Sequence, residues 1–252
     1  MSLADDARAI LSAARSRLAL EGLHIVLPIG RREFDDAVAG LPVAHLDDLL
    51  VGAGGALLVG DGGPDFFARF FETGRPIRAQ EAAWPSNPLD GYTYDVLTAA
   101  VADVLVPWAP AVSFRLIYPF VDARPALPFQ RLGQAAGLPA PGPLGIQIHP
   151  IYGPWWAYRA IVVMSAELAT EPVLGASCLG CARPCADACP GGAVTATGFS
   201  YERCGGHRMV APACRDSCAA RIACPVGFTH RYPAHQLAFH MKPSLRLRSD
   251  RS

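Results

Sequence analysis

At 252 residues, 51% hydrophobic and 17% charged, the chain can bury a full core and has the composition of an ordered globular protein, not a disordered one. Its 22 Lys/Arg balance 22 Asp/Glu, which speaks against a general electrostatic pull toward nucleic acid or an acidic membrane. No window reaches the roughly 18–20 apolar residues of a membrane span, and the start is acidic and amphipathic, unlike a secretory leader; a cytoplasmic protein without a membrane span is expected.

Ala4 to Leu20 places Ala7, Ile10, Leu11, Ala14 and Leu18 at helical spacing. HIVLPIG (24–30) and ALLVG (56–60) read as short buried strands, with a helical or irregular stretch between them. The glycines around the second strand, GAGGALLVGDGG, do not make a nucleotide loop. Leu57 stands where the third glycine belongs, and no Lys-Ser/Thr follows. PDFFARFFE opens a helix at Pro64 that brings Phe66 or Phe67 toward Phe70 and Phe71. Pro88 to Val106 reads as a helix rich in small residues, VSFRLIYPF (112–120) as a strand, and Pro125 to Gly137 as a further helix. GPLGIQIHPIYGPWWAYRAIVVM (142–164) predicts two strands joined by a turn at His149–Pro154. Helices mixed with hairpins, without a βαβ rhythm, suggest an α+β sandwich over residues 1–170, followed by a loop-rich module over 171–252.

That module holds every cysteine of the chain. The first tract runs Cys178-x2-Cys181-x3-Cys185-x3-Cys189-Pro190. The second has Cys204, then Cys214-x3-Cys218-x5-Cys224-Pro225. ADACPGG in one tract echoes RIACPVG in the other. Iron–sulfur cubanes are held by C-x2-C-x2-C-x3-C-P runs, in which the last cysteine serves the other cluster of a pair. Eight thiolates and two Cys-Pro ends match two [4Fe–4S] clusters by count, although the middle gaps are longer than the rule. Crossing the ligands gives Cys178, Cys181, Cys185 and Cys224 to one cluster and Cys189, Cys204, Cys214 and Cys218 to the other. Zinc, which favours two C-x2-C pairs across a long loop, and disulfides, which need an oxidising compartment, are the alternatives.

Two stretches before the cysteines carry chemistry. IYPFVDARP places Asp122 just beyond a strand, as an acid or as the cap of the next helix. IQIHPIYGPWWAYRA packs His149, Tyr152, Trp155, Trp156, Tyr158 and Arg159 into eleven residues. One strand face could line a pocket for a flat ligand. The plainer alternative makes both tryptophans core anchors and gives Arg159 an ion pair. The scattered His207, His230, His235 and His240 default to exposed or packing roles.

The stretches NPLDGYTYDVLTAAVA and GIQIHPIYGPWWAYRAIVV resemble the cobalamin-processing decyanase (CblC-type) family over roughly residues 50–165. Gly145, His149-Pro150, Gly153, Trp155 and Arg159 match that family's G-x-x-I-H-P-x-x-G-x-W-x-x-x-R pattern. The cysteine module is absent there, but it follows in this order in epoxyqueuosine reductases, whose F-V-D-[ST]-x-P stretch FVDARP (120–125) resembles. Corrinoid reductive dehalogenases share the general plan. The resemblance implies an α+β, nitroreductase-like corrinoid-binding sandwich followed by a ferredoxin-like module with two [4Fe–4S] clusters. It implies cobalamin contacts from Tyr118, His149, Trp155, Trp156 and Arg159, with His149 either facing the corrin or fixing the hairpin. Asp122 becomes the proton donor. The expected activity is reduction, through a corrinoid, of a small-molecule or modified-nucleoside substrate, fed by a low-potential donor of ferredoxin or flavodoxin type. Neutral charge, and the lack of the helical repeats of many epoxyqueuosine reductases, argue against a nucleic-acid partner without ruling it out. The rival functions are a B12 carrier that turns over no organic substrate and a plain electron-transfer protein.

Overall fold

The computed structural model describes residues 3–74, 87–120, 127–172, 175, 178–195 and 197–241. The chain divides into two compact units, Met1–Gly137 with Ala157–Val173, and Leu138–Trp156 with Leu174–Ser252.

In the first unit, helix α1 (Leu3–Ala19) buries Ile10, Leu11, Ala14 and Leu18, the stripe its spacing predicts. Strand β1 (Ile25–Gly30) follows, then helices α2 (Arg31–Val38) and α3 (Leu46–Leu49) and strand β2 (Gly55–Gly62). Every residue of β1 and β2 is buried, as their largely apolar runs require of strands covered on both faces. They pair antiparallel with Ile25 opposite Gly60 and Gly30 opposite Gly55. Helix α4 (Asp65–Glu72) sinks Phe66, Phe67 and Phe70, and α5 (Pro88–Leu105) begins at a proline after an Asn87 cap, whose side chain accepts from Leu89 N–H.

Strand β3 (Phe114–Ile117) is shorter than the alternation over 112–120 suggests. It pairs antiparallel with β4 (Trp156–Met164) and closes the order β1-β2-β4-β3 as an edge. Helix α6 (Phe129–Ala135) precedes β4. Leu57 of β2 and Val162 of β4 pack under Ala14 and Leu18 of α1 and Val101 and Val104 of α5. Among the described residues no helix is long and apolar enough to cross a membrane.

The hairpin expected over 142–164 is not formed. Only its second half is a strand. Residues 142–155 run as turns, with a Gly142 N–H bond to Ile146 O and a single bridge between His149 and Gly153. Leu144 and Ile148 are the reason: they bury themselves in the core of the second unit with Cys185, Val194 and Ala220. The stretch 138–156 therefore groups with the cysteines, whereas the sequence reading placed the division at 170/171.

The second unit contains helix α7 (Pro184–Asp187), the two-residue strands β5 (Val194–Thr195) and β6 (Gly198–Phe199), and helix α8 (Tyr201–Val210). The short helices α9 (Ala213–Asp216) and α10 (Ala219–Ile222), a 3-10 turn (Phe228–His230) and helix α11 (Ala234–Met241) follow. The echo of ADACP and RIACP is structural: α7 and α10 each end two residues before a Cys-Pro pair. Charge separates the units as sharply as cysteine does. The first has 18 Asp/Glu against 12 Arg, and the second 4 against 10 Lys/Arg. The neutral total is the sum of an acidic and a basic part.

Candidate functional site

No disulfide joins any of the eight cysteines, which are half-buried or buried. Their backbones are distant in sequence, yet the fold gathers them into two groups of four. One cavity is walled by Cys178, Cys181, Cys185 and Cys224, and encloses about 440 Å³ of space free of protein atoms, counting its solvent side. A second, of about 380 Å³ on the same measure, is walled by Cys189, Cys204, Cys214 and Cys218. These are the two crossed sets. Among the described residues no three Cys, His, Asp or Glu side chains converge to hold a single metal ion. The thiols stand around a cavity in each set.

The wall of the first cavity is fixed by a mutual approach of main chains. Gly153, at φ +58°, lies so close to Val226 O that any Cβ would collide with it, and Gly227, at φ +69°, lies equally close to the carbonyl of Tyr152. That contact seats the Cys224-Pro225-Val226 turn against the 149–153 loop. Gly142 leaves 3.0 Å between its absent Cβ and the Cys178 sulfur, so the strap 138–156 reaches the thiols on this side too.

Burial pushes the thiols of Cys178, Cys185, Cys204, Cys214 and Cys224 up, and neighbouring cysteines of the same set add to it. Opposing this, donors are aimed at sulfur. Arg183 N–H points to Cys181 Sγ at 3.4 Å, Ala193 N–H to Cys189 Sγ at 3.3 Å, and Val226 N–H favours the Cys224 thiolate. Apposed thiols with N–H donors form a site for cations, because a bound positive centre removes both the burial penalty and the mutual repulsion. A third, wider pocket of about 870 Å³ touches Cys178 and is walled by Pro139 to Pro143, Leu179 and Arg183.

The residues expected to contact cobalamin are engaged, each within its own unit. Arg159 donates from Nε to Asp61 Oδ1 at 2.8 Å and from Nη2 to Oδ2 at 3.1 Å, and its guanidinium lies 5.5 Å from the Phe66 ring. Asp61 is fully buried, so this is the core ion pair of the plainer alternative. Tyr118 is buried, with its hydroxyl 2.9 Å from that of Thr98. Trp156 donates its Nε1–H to Gln147 O at 2.9 Å. Trp155 is wholly buried beside Tyr232 and Leu237, with Arg221 4.8 Å above its ring. His149 Nδ1 accepts from the N–H groups of Ile151 and Tyr152 at 3.2 and 3.3 Å, which fixes the turn and leaves the proton on Nε2. Burial, reinforced by the charge of His230, lowers its pKa to about 4.

Trp155 Nε1–H has no acceptor among the described residues, but one unmet donor in five internal side chains does not make a cradle for a corrin. Asp122 lies outside the described residues. The sequence reading passed over two acids in the first unit. One is Asp61, signalled by a carboxylate inside an otherwise apolar strand. The other is Asp90, in the first turn of α5, which burial raises against the opposing charge of Arg159.

No family model matches the chain, and no curated protein does. Solved structures do match in fold. The B12-trafficking protein CblC of C. elegans, a human MMACHC homologue, is 19% identical with a TM-score of 0.55; the match covers 94% of this chain and 92% of that one. Epoxyqueuosine reductase from Bacillus subtilis, solved with its catalytic aspartate loop swung out of the active site, is 12% identical at a TM-score of 0.59, over 93% and 68% of the two chains. An epoxyqueuosine reductase bound to an epoxyqueuosine-modified tRNA-Tyr stem loop is likewise 12% identical at 0.59, over 94% and 69%. Identities this low speak for a shared fold of mixed helix and sheet.

Proposed function

We propose that the chain is an iron–sulfur oxidoreductase of the reductive kind, with a [4Fe–4S] cluster in each four-cysteine cavity. The observation that carries this is the sorting of eight cysteines into two cavities of four, Cys224 joining the first tract and Cys189 the second. A tetrahedral zinc, at about 2.3 Å from each sulfur, needs thiols that converge on a point. Thiols spread around a cavity, with N–H groups directed at sulfur, suit a larger polynuclear centre. When bound, such clusters supply one-electron transfer over about −700 to +450 mV. The residues of the chain hold the thiolates apart, donate to their sulfurs and shield them with Leu144, Ile148, Phe199 and Val226.

The electron acceptor in this reading is a corrinoid, supported by the fold likeness to a B12-trafficking protein and to epoxyqueuosine reductases, and not by the five side chains named above. The likeness to a reductase solved with a tRNA stem loop keeps a nucleic-acid substrate in play; so does the basic second unit. Asp122 remains the proposed proton donor, and Asp122→Asn should abolish substrate turnover while sparing cofactor content.

The cluster assignment is tested by single substitutions that the crossing makes counterintuitive. Cys224→Ser and Cys178→Ser, 46 positions apart, should each remove the same cluster, about four irons, and leave identical residual electron paramagnetic resonance (EPR) spectra. Cys189→Ser should leave the other spectrum. If Cys189→Ser and Cys178→Ser give one spectrum, the crossing is wrong. The acceptor is tested by anaerobic gel filtration after incubation with hydroxocobalamin. Co-elution of about one cobalt per chain supports a corrinoid; none removes it and leaves the clusters standing.

A further inference from the structure

The two four-cysteine cavities differ in the cation beside them. Arg183, at the rim of the first, and Arg231, whose charge also reaches Cys224, are both solvent-exposed. Arg208, in the wall of the second, is 6% exposed. It stands four residues after Cys204 on α8, so the guanidinium and that thiol share one helix face. Its Nε donates to Cys214 O at 2.9 Å, and its Nη2 donates to Arg215 O at 3.3 Å and Met241 O at 2.6 Å. Arg215 answers, donating from Nε to Arg208 O at 3.3 Å. One side chain thus ties the Cys204 helix, the Cys214 turn and the end of α11 around a single cavity, and its guanidinium is a rigid, planar cation.

A fixed positive charge in a low-dielectric wall favours whichever state of the facing group carries more negative charge. For a thiolate-bound cluster that is the reduced state, which has gained one electron and needs no proton. An exposed guanidinium does the same more weakly, because water screens it.

We propose that Arg208 is a positioning residue that makes the site of Cys189, Cys204, Cys214 and Cys218 the more easily reduced of the two. The inference rests on the cluster assignment above. Electrons from a low-potential one-electron donor settle there first, and the site of Cys178, Cys181, Cys185 and Cys224 fills second.

The test is an anaerobic redox titration of the full chain with dithionite, followed by EPR, with iron and sulfide counted first. In the unsubstituted protein the signal that Cys189→Ser removes should appear at the higher potential. Arg208→Gln should make that signal at least tenfold harder to reduce, about 59 mV for one electron, and leave the other in place. Arg208→Lys, which keeps the charge and loses the fork, should restore most of the shift. If Arg208→Gln loses that cluster outright, Arg208→Lys decides. A Lys variant with wild-type order supports the charge, and a Lys variant with the order reversed overturns it. The inference also falls if the Cys189 signal lies at the lower potential, or if Arg208→Gln retains both clusters with both midpoints unmoved. A protein without iron would sink the proposed function first, and this inference with it.

Discussion

The two units solve opposite problems. The first has no cysteine, an excess of acid, and a sheet whose strands β1 and β2 are buried from end to end. Apolar burial carries that unit, and within its core Arg159 is paired with the fully buried Asp61. The second has four-residue helices, two-residue strands and an excess of Arg, and gathers its small core around thiols. In the proposed reading, a core in which Cys185 and Cys224 are buried depends on the clusters those thiols hold. Stability in the first unit should therefore follow packing, and in the second it should follow metal content.

The largest effect that tests this contrast is in the first unit. Asp61→Asn strands the Arg159 charge in the core and should cost about 3–5 kcal/mol, read by urea unfolding with far-UV circular dichroism. Iron content of the protein that remains folded should not change. Gly153→Ala works in the second unit. A side chain at positive φ costs about 1–2 kcal/mol, and Val226 O stands where the new Cβ would go. Anaerobically purified Gly153→Ala should lose iron selectively from the Cys224 set, visible as loss of the same EPR signal that Cys178→Ser removes.

A more gradual effect is acid sensitivity. His149 has a folded pKa of about 4 against about 6.5 unfolded, so between those values the unfolded chain binds more protons and stability rises with pH. From pH 6.5 down to 4 the protein should lose at most about 1.4 kcal/mol per pH unit from this group. His149→Asn should flatten that window, as urea midpoints at several pH values would show. The smallest is Leu179→Ser, at a position 92% exposed, which should stay within about 0.5 kcal/mol of wild type.

Much of the first unit was legible because periodicity is local. The α1 stripe, the buried runs of β1 and β2, the phenylalanines of α4 and the span of α5 all follow from neighbours a few residues apart. The segment 142–155 was not, because its alternation of Leu144, Ile146 and Ile148 serves a core supplied by residues 178–226, and nothing within a strand-length window reveals that partner. For the same reason Trp155 and Arg159 read as pocket residues: clustered aromatics look alike whether they face a ligand or Tyr232. The grouping of the cysteines around two cavities was legible, since a Cys-Pro end displaced from its tract is a spacing signal that survives stretched gaps. Asp61 shows the limit. A buried acid announces a partner, but only the fold names Arg159.

The most direct measurement is iron, acid-labile sulfide and zinc on the full chain purified without oxygen. The account predicts about eight irons with matching sulfide and no zinc. Stoichiometric zinc without sulfide, or eight cysteines that titrate as free thiols beside no metal at all, would contradict it.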